Sequence, residues 1–395
     1  MQLLDRHPLA AKIDTYDTMK RIKFLIIGLL LLNQLGASQS INDKIIKLNI
    51  DFDNAGLVNL SEIISEIKYL PLETNANCLI GNMNIPVYGE YIIIRSYTGS
   101  INGAVGTFRF SNQGKFLNKI GNIGRGPGEY QDNSEVVLIN DTIFIISNFS
   151  NRIFSYSLSG MFLKEFHLNS KSRPNSMVQL PDKSYMISLS NPSDYGIILK
   201  TDRNFNVKTG YIKNIPLKNN PLPFGFQTTK NKIFFYYSYL DTIFDISKGY
   251  PVPAIICDYG KFKKSKPQSL YQKENPVLGK PHIISFSASE QYLQLWIYYP
   301  FNKSTYTTLY RIADGKQVTW TKLVNNIDGG TLDRWEGFLD SENNLILQLM
   351  PSTIIARFEK ISSVEKLNPK NSGFINMASK VTLESNPVIM IGKLK

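Results

Sequence analysis

Short runs of apolar residues, separated by turn-forming residues, dominate the chain. Residues 142–146 form one such run, and after a polar turn residues 152–156 form the next. Asn, Asp, Ser and Gly interrupt these runs at short intervals, as is typical of short strands joined by tight turns. The pattern predicts an all-β fold.

The strand pairs recur at a nearly constant period. Aligning them on one position of the second strand gives steps of 46, 44, 46, 66 and 46 residues, at Phe110, Tyr156, Lys200, Ile246, Ile312 and Phe358. Five steps define six units, and units of this length are typical of propeller blades. We predict a six-bladed β-propeller with four-stranded antiparallel blades. The long step is explained by a Lys- and Pro-rich insertion at residues 261–281, which we expect to be a loop.

Strands from both ends of the chain are expected to close the ring, because an open seam would leave unpaired strand edges. Residues 67–72 and 387–391 are suitable partners. Residues 67–395 are therefore predicted to form the propeller, and residues 39–66 a lead-in segment. Within that segment, residues 60–67 are expected to be helical, with Ser61 as the N-cap.

The N-terminal region has the features of a secretory signal. Lys20, Arg21 and Lys23 precede an apolar run at residues 24–32, and small residues follow at 36–38. We interpret residues 1–18 as a start-site overcall, residues 19–38 as a signal peptide, and Gln39 as the first mature residue. No later run has membrane-spanning length, so we expect an exported protein that is periplasmic, associated with the cell surface or secreted.

The net charge limits the class of binding partner only loosely, and the two cysteines leave the presence of a disulfide open. The 44 Lys and Arg residues against 32 Asp and Glu residues give a formal net charge of +12. The lysines are scattered, and their densest cluster, at residues 261–266, is typical of a solvated loop, so specific nucleic acid binding is not expected. Cys78 and Cys257 either form one disulfide or remain buried free thiols.

The sequence contains no recognised catalytic motif. Only His167 and His282 remain after the signal, which argues against a histidine triad or a multi-histidine metal site. The closely spaced Gly124, Gly126 and Gly128 resemble a phosphate-binding loop only superficially. Since Pro127 lacks an N–H donor, a tight turn between blades is favoured.

Several stretches carry a family resemblance: residues 60–63, 69–74, 79–81, 114–130, 241–244, 258–261, 327–330 and 386–391. On these stretches, the chain resembles the exported six-bladed β-propeller proteins of unknown function from anaerobic gut bacteria. More loosely it is similar to NHL-repeat propellers, whose units contain an element like Asn151, Arg152 and Ile153. The resemblance implies the fold, but such relatives include both binding proteins and enzymes. Many members carry a lipoprotein cysteine where this chain has residues 36–38, so a lipid anchor is not implied.

Two classes of function remain open. In the first, the propeller is a binding platform for a glycan, a peptide or a protein partner, without a cofactor. In the second, it is a metal-dependent hydrolase or lactonase with a divalent cation such as Ca²⁺ in the axial channel. The oxygen and nitrogen ligands considered for that cation are Glu129, Asn175, Gln227, His282 and Glu336. These side chains are otherwise expected to cap turns or to satisfy backbone groups.

A ligand site is predicted on the axial face of the ring, and we expect a monomer. The candidate contacts are Arg125, Glu129, Tyr130, Arg334 and Trp335. The glycine-rich turn before Tyr130 leads from one blade to the next, and flexible backbone angles at its glycines allow charged side chains to face outward. In the alternative interpretation, Arg125 and Glu129 only fasten that turn.

Overall fold

The computed structural model describes residues 45–97, 104–168, 170, 172–213, 224–263, 279–330, 332, 337–361 and 368–395. Residues 47–395 form one compact unit, and the second unit, residues 1–46, is described only at Ile45 and Ile46. The predicted signal peptide lies outside the described residues. Among the described residues, no helix is long and apolar enough to cross a membrane.

Twenty-six strands occur in the described part of the chain. Three precede the first blade: β1 (Ile46–Asn49), β2 (Gly56–Asn59) and β3 (Ile64–Pro71). Blade 1 contains β4 (Asn82–Tyr88), β5 (Tyr91–Tyr97), β6 (Ala104–Ser111) and β7 (Phe116–Lys119). Blade 2 contains β8 (Glu135–Ile139), β9 (Thr142–Ser147), β10 (Arg152–Ser157) and β11 (Phe162–His167). Blade 3 contains β12 (Pro174–Gln179), β13 (Tyr185–Ser193), β14 (Gly196–Thr201) and β15 (Val207–Tyr211).

The remaining blades follow in the same order. Blade 4 contains β16 (Phe224–Thr228), β17 (Ile233–Tyr237), β18 (Thr242–Asp245) and β19 (Val252–Asp258). Blade 5 contains β20 (His282–Ala288), β21 (Tyr292–Tyr299), β22 (Ser304–Arg311) and β23 (Gln317–Val324). Blade 6 contains β24 (Phe338–Leu339), β25 (Asn344–Leu349) and β26 (Val388–Leu394).

The six antiparallel sheets are arranged in a ring, which confirms the predicted six-bladed β-propeller. The N-terminal strand β3 supplies the fourth strand of blade 6 and pairs antiparallel with the C-terminal strand β26. Val388 lies opposite Pro71, and Met390 lies opposite Tyr69. The predicted closure by strands from both chain ends is therefore confirmed.

The core consists of apolar layers between neighbouring blades. Ile93 of blade 1 packs with Val136, Ile145 and Phe154 of blade 2 in one such layer. A corresponding layer joins blade 6 to blade 1 through Ile346, Ile389, Ile92 and Phe108. Because the second strand of a blade is covered on both faces, a strand such as β9 is apolar almost throughout, whereas the outer strand β11 is largely exposed.

The segment before β3 contributes more than a lead-in. Strand β1 lies beside β19 at the outer edge of blade 4, and β2 pairs in parallel with β23 at the outer edge of blade 5. Both blades thus have five strands. Sequence patterns did not indicate this, since neither four-residue strand shows a distinctive alternation.

The helices differ from the sequence-based expectation. The first, α1 (Leu60–Ile63), is shorter than the predicted residues 60–67, because β3 begins at Ile64. Its N-cap is Asn59 and not Ser61, and the backbone N–H of Asn59 donates to Glu62 Oε1 at 2.9 Å. Helices α2 (Pro351–Lys360) and α3 (Ser372–Ala378) were not predicted.

One repeat position was assigned wrongly. Five of the six aligned positions lie at or next to the end of a third strand, whereas Phe358 lies in α2. The third strand of blade 6 is instead β26, about 30 residues further on. Helix α2 has a physical cause in its sequence, since Pro351 is preorganised for the first helical position and Ile354 is buried against blade 6.

The structure also describes the surroundings of the predicted insertion and the state of the two cysteines. The insertion at residues 261–281 lies between β19 and β20; it starts in a 3₁₀ turn, Gly260–Lys263, and its residues 264–278 lie outside the described residues. Cys78 and Cys257 are both buried free thiols.

Candidate functional site

A cavity of about 820 Å³ lies on the axis of the ring. The first strands of all six blades line it, together with side chains from the second strands of blades 1, 5 and 6. This volume is in the range of small-molecule sites. The lining side chains that can form hydrogen bonds include Asn84, Arg95, Glu135, Gln227, Ser285, Trp296, Asp340 and Gln348.

Arg95 enters the cavity from β5, where it lies opposite Asn84 of β4. Its Nη1 donates to the carbonyl oxygen of Ser134, just before blade 2. With the Asn84 amide oxygen turned toward it, Nη2 also donates to Asn84 at 3.2 Å. The guanidinium carbon lies 5.4 Å from the centre of the Tyr97 ring. These contacts hold the positive charge of Arg95 in place at the wall.

Glu135, the first residue of β8, is the acidic counterpart of Arg95. Protein surrounds its carboxyl group, and only the cavity gives it partial exposure. Burial raises the pKa of Glu135, and the nearby charge of Arg95 opposes this effect. Burial also raises the pKa of Tyr236 from blade 4, and the charge of Glu135 raises it further. Glu135 therefore acts on groups from two other blades.

Glu135→Gln is expected to stabilise the protein more at pH 8 than at pH 5, by about 1 kcal/mol, the scale of one buried polar group. A carboxyl whose folded-state pKa is raised stabilises the fold while it is protonated, and this contribution is lost as the pH rises through the folded-state pKa. Urea denaturation of both proteins at the two pH values measures the difference. The exposed Glu342→Gln is the matched control. A Glu135→Gln effect that does not change with pH would contradict the prediction.

Several polar groups of the wall have no partner within the described part of the chain. The indole Nε1–H of Trp296 is buried without a hydrogen-bond acceptor, and because the atom has almost no exposed surface it is not open to a ligand in the cavity. The carboxylate of Glu135 accepts no hydrogen bond from a described side chain, and the amide of Gln227 has no described protein partner. Gln348 has only a weak contact from its Nε2 to the sulfur of Met350, at 3.1 Å. Buried polar groups normally find partners.

Asp340, which also lines the cavity, differs from Glu135 because its carboxylate already accepts hydrogen bonds. Asp340 accepts hydrogen bonds from the backbone of Glu342 at 2.9 Å and of Asn344 at 2.7 Å, so it stabilises its own turn. Burial, together with the charges of Asp340 and Glu342, raises the pKa of Tyr88 to about 12. Tyr88 therefore stays neutral and is a hydrogen-bond donor at physiological pH.

The structure places the predicted contacts of the glycine-rich turn away from this cavity. Glu129 folds back over its own turn, where Oε2 accepts a hydrogen bond from the backbone N–H of Gly126 at 2.9 Å. Tyr130 is fully buried and donates to the carbonyl of Ile120 at 3.0 Å. Arg125 is exposed, and none of these three side chains lines the cavity. The arrangement favours the structural interpretation of Glu129 and Tyr130, and a role in ligand binding stays a prediction.

The other predicted contacts, Arg334 and Trp335, lie outside the described residues, as does Glu336. The next residue in the sequence, Gly337, does line the cavity.

The proposed metal ligands are not brought together where they are described. His282 packs against Tyr239 and Tyr298, and its Nδ1 lies 3.1 Å from the carbonyl of Lys280. Of the candidates that the structure describes, Gln227 alone lines the cavity, and Asn175 does not. Among the described residues, no group of three or more His, Cys, Asp or Glu side chains could hold a metal ion. The divalent cation stays a prediction.

Sequence reasoning missed the side chains that do line the cavity, although two of them carried a signal. Arg95 interrupts the otherwise apolar run of β5, and Glu135 starts the apolar strand β8. Charged residues are seldom placed in buried strands without a reason. Trp296 and Gln348 carried no such signal.

Comparisons with known proteins support the fold. The solved structure of a Bacteroides fragilis protein named "Putative exported protein" is 19% identical, with a TM-score of 0.70 over 89% of this chain and 99% of that chain. A member of the DUF4221 family from Bacteroides vulgatus is 10% identical, with a TM-score of 0.48 over 84% of this chain and 97% of that chain. No curated protein sequence matches.

The family itself is established by sequence. The family described as a domain of unknown function, DUF4934, matches residues 43–393. This match confirms the resemblance to propellers of unknown function, and the chain belongs to the DUF4934 family.

Proposed function

We propose that this protein is an exported binding protein that holds its ligand in the axial cavity. The observation that carries the proposal is the cavity wall, where the carboxylate of Glu135 has no described side-chain donor and the amide of Gln227 has no described protein partner. A bound ligand would satisfy these groups and recover part of the cost of burying them. The signal-like N-terminus and the name of the Bacteroides fragilis relative support export.

The construction of the wall suits binding by a preformed site. Glu135 and Gln227 lie on the innermost strands β8 and β16, and each of these strands is held in register by the second strand of its blade before a ligand arrives. Preorganisation of this kind reduces the entropy lost on binding. Catalysis by a bound metal has less support, since the described residues do not assemble the proposed ligands. Metal analysis of the purified protein tests that alternative directly.

A cavity-blocking variant tests the proposed location. Ser285→Trp places a large ring on β20 inside the cavity, and Ser159→Trp places the same ring on an exposed turn of blade 2 as the matched control. We expect a ligand found by thermal-shift screening of soluble saccharides and peptides to lose most of its stabilising effect on Ser285→Trp and to keep it on Ser159→Trp. Equal ligand effects on both variants would place the binding site elsewhere.

A further inference from the structure

The polar side chains that face the axial cavity include both kinds of hydrogen-bonding partner. Glu135 offers a carboxylate acceptor, which receives a backbone hydrogen bond from Val136 but none from a described side chain. Gln227 offers a donor and an acceptor in one planar amide. Blades 2 and 4 provide these two side chains. A ligand that satisfies them must carry several groups that donate and accept at once.

The charges of the wall favour a neutral ligand. Glu135 faces the positive field of Arg95, and the two formal charges cancel. Asp340, the remaining charged lining residue within the described part of the chain, is occupied by its own turn. For an anionic ligand the attraction by Arg95 is offset by repulsion from Glu135, and for a cationic ligand the reverse holds. A ligand without formal charge meets neither penalty.

The apolar side chains of the cavity wall narrow the chemical class of the ligand further. Met177, Phe226 and Phe338 line the cavity together with the polar groups. A sugar ring carries hydroxyl groups at its edge, each of which can donate and accept, and C–H groups on its faces, which pack on apolar side chains. A peptide backbone offers one donor and one acceptor for each residue, with a less dense pattern.

We infer that the axial cavity binds a neutral saccharide, whose hydroxyl groups donate to Glu135 and exchange hydrogen bonds with the amide of Gln227. The inference rests on the proposed function and names the class of ligand for the same site. The cavity volume of about 820 Å³ limits the bound part to a short oligosaccharide or to the end of a longer one.

Isothermal titration calorimetry tests this inference with defined probes. The neutral probes are trisaccharides of glucose, galactose, mannose and xylose; tri-alanine and trigalacturonate are the peptide and anionic comparisons. We expect saturable binding of at least one neutral trisaccharide. Glu135→Gln should weaken that binding at least about tenfold, the effect of one hydrogen bond to a charged group. Gln227→Leu should weaken it by a smaller factor, and Glu342→Gln should not change it. Circular dichroism verifies that each variant is folded.

The outcomes separate the class of ligand from the site. Binding of tri-alanine or trigalacturonate, blocked by Ser285→Trp and without binding of any neutral trisaccharide, overturns the saccharide inference and leaves the cavity as the site. Binding that Ser285→Trp does not affect overturns both proposals. The inference is also overturned if no neutral trisaccharide binds, or if Glu135→Gln binds it as tightly as the unmodified protein.

Discussion

Met390→Asp is expected to remove at least about 4 kcal/mol from the free energy of unfolding, because it combines loss of a buried side chain with an unpaired buried charge. Met390 is 0% exposed and lies opposite Tyr69 in the pair of strands that closes the ring. Since domains are stable by about 5 to 15 kcal/mol, the variant should be largely unfolded or close to it. Urea denaturation followed by circular dichroism measures the change.

Leu383→Asp is the matched control for this variant. Leu383 belongs to the same C-terminal segment but is 74% exposed, so its substitution should change the free energy of unfolding by no more than about 0.5 kcal/mol. Similar losses in both variants would mean that the segment as a whole, and not the closing strand, is sensitive to added charge.

Phe52→Ala is expected to cost about 3 to 5 kcal/mol, the range for removing a large buried aromatic side chain. Phe52 lies between β1 and β2, is 7% exposed, and packs among aromatic rings of blade 5 and of the turn after β19. Its ring centre lies 4.7 Å from that of Tyr306, 5.2 Å from that of Phe262 and 5.7 Å from that of Tyr299. Chemical denaturation of the purified variant measures the loss.

Leu57→Ala provides the comparison within the same N-terminal segment. Leu57 lies on β2 but is 58% exposed, so little apolar contact is lost when it is shortened. If Phe52→Ala costs no more than Leu57→Ala, the N-terminal segment is held by its backbone pairing and not by this aromatic cluster.

Misassignment of Phe358 shows where sequence periodicity fails. The alignment assumed that the four strands of each blade follow one another along the chain, which holds for the four inner strands of blades 1 to 5. In blade 6 helices α2 and α3 separate β25 from β26, and the fourth strand comes from the N-terminus. Ile354, Phe358 and Ile361 are spaced as on one face of a helix. The strand repeats of the preceding units obscure this helical spacing.

The candidate site was less predictable than the fold for a related reason. Arg95, Glu135, Gln227 and Trp296 are separated by 40 to 92 residues from one to the next and share no local pattern. By contrast, Glu129 and Tyr130 belong to a conspicuous glycine-rich turn, but both are used within that turn and the adjoining core. A local motif is visible in a sequence whether it serves architecture or ligand binding.

The sequence by itself determined the all-β class, the number of blades and the strands that close the ring. These features depend on alternation, turn residues and a repeated length, which are local properties of a chain. Only the tertiary structure decided which side chains meet on the axis, which segments cover the edges of blades 4 and 5, and which polar groups remain without a partner. These depend on contacts between residues far apart in the sequence, because six blades must close into a ring before their first strands share one cavity.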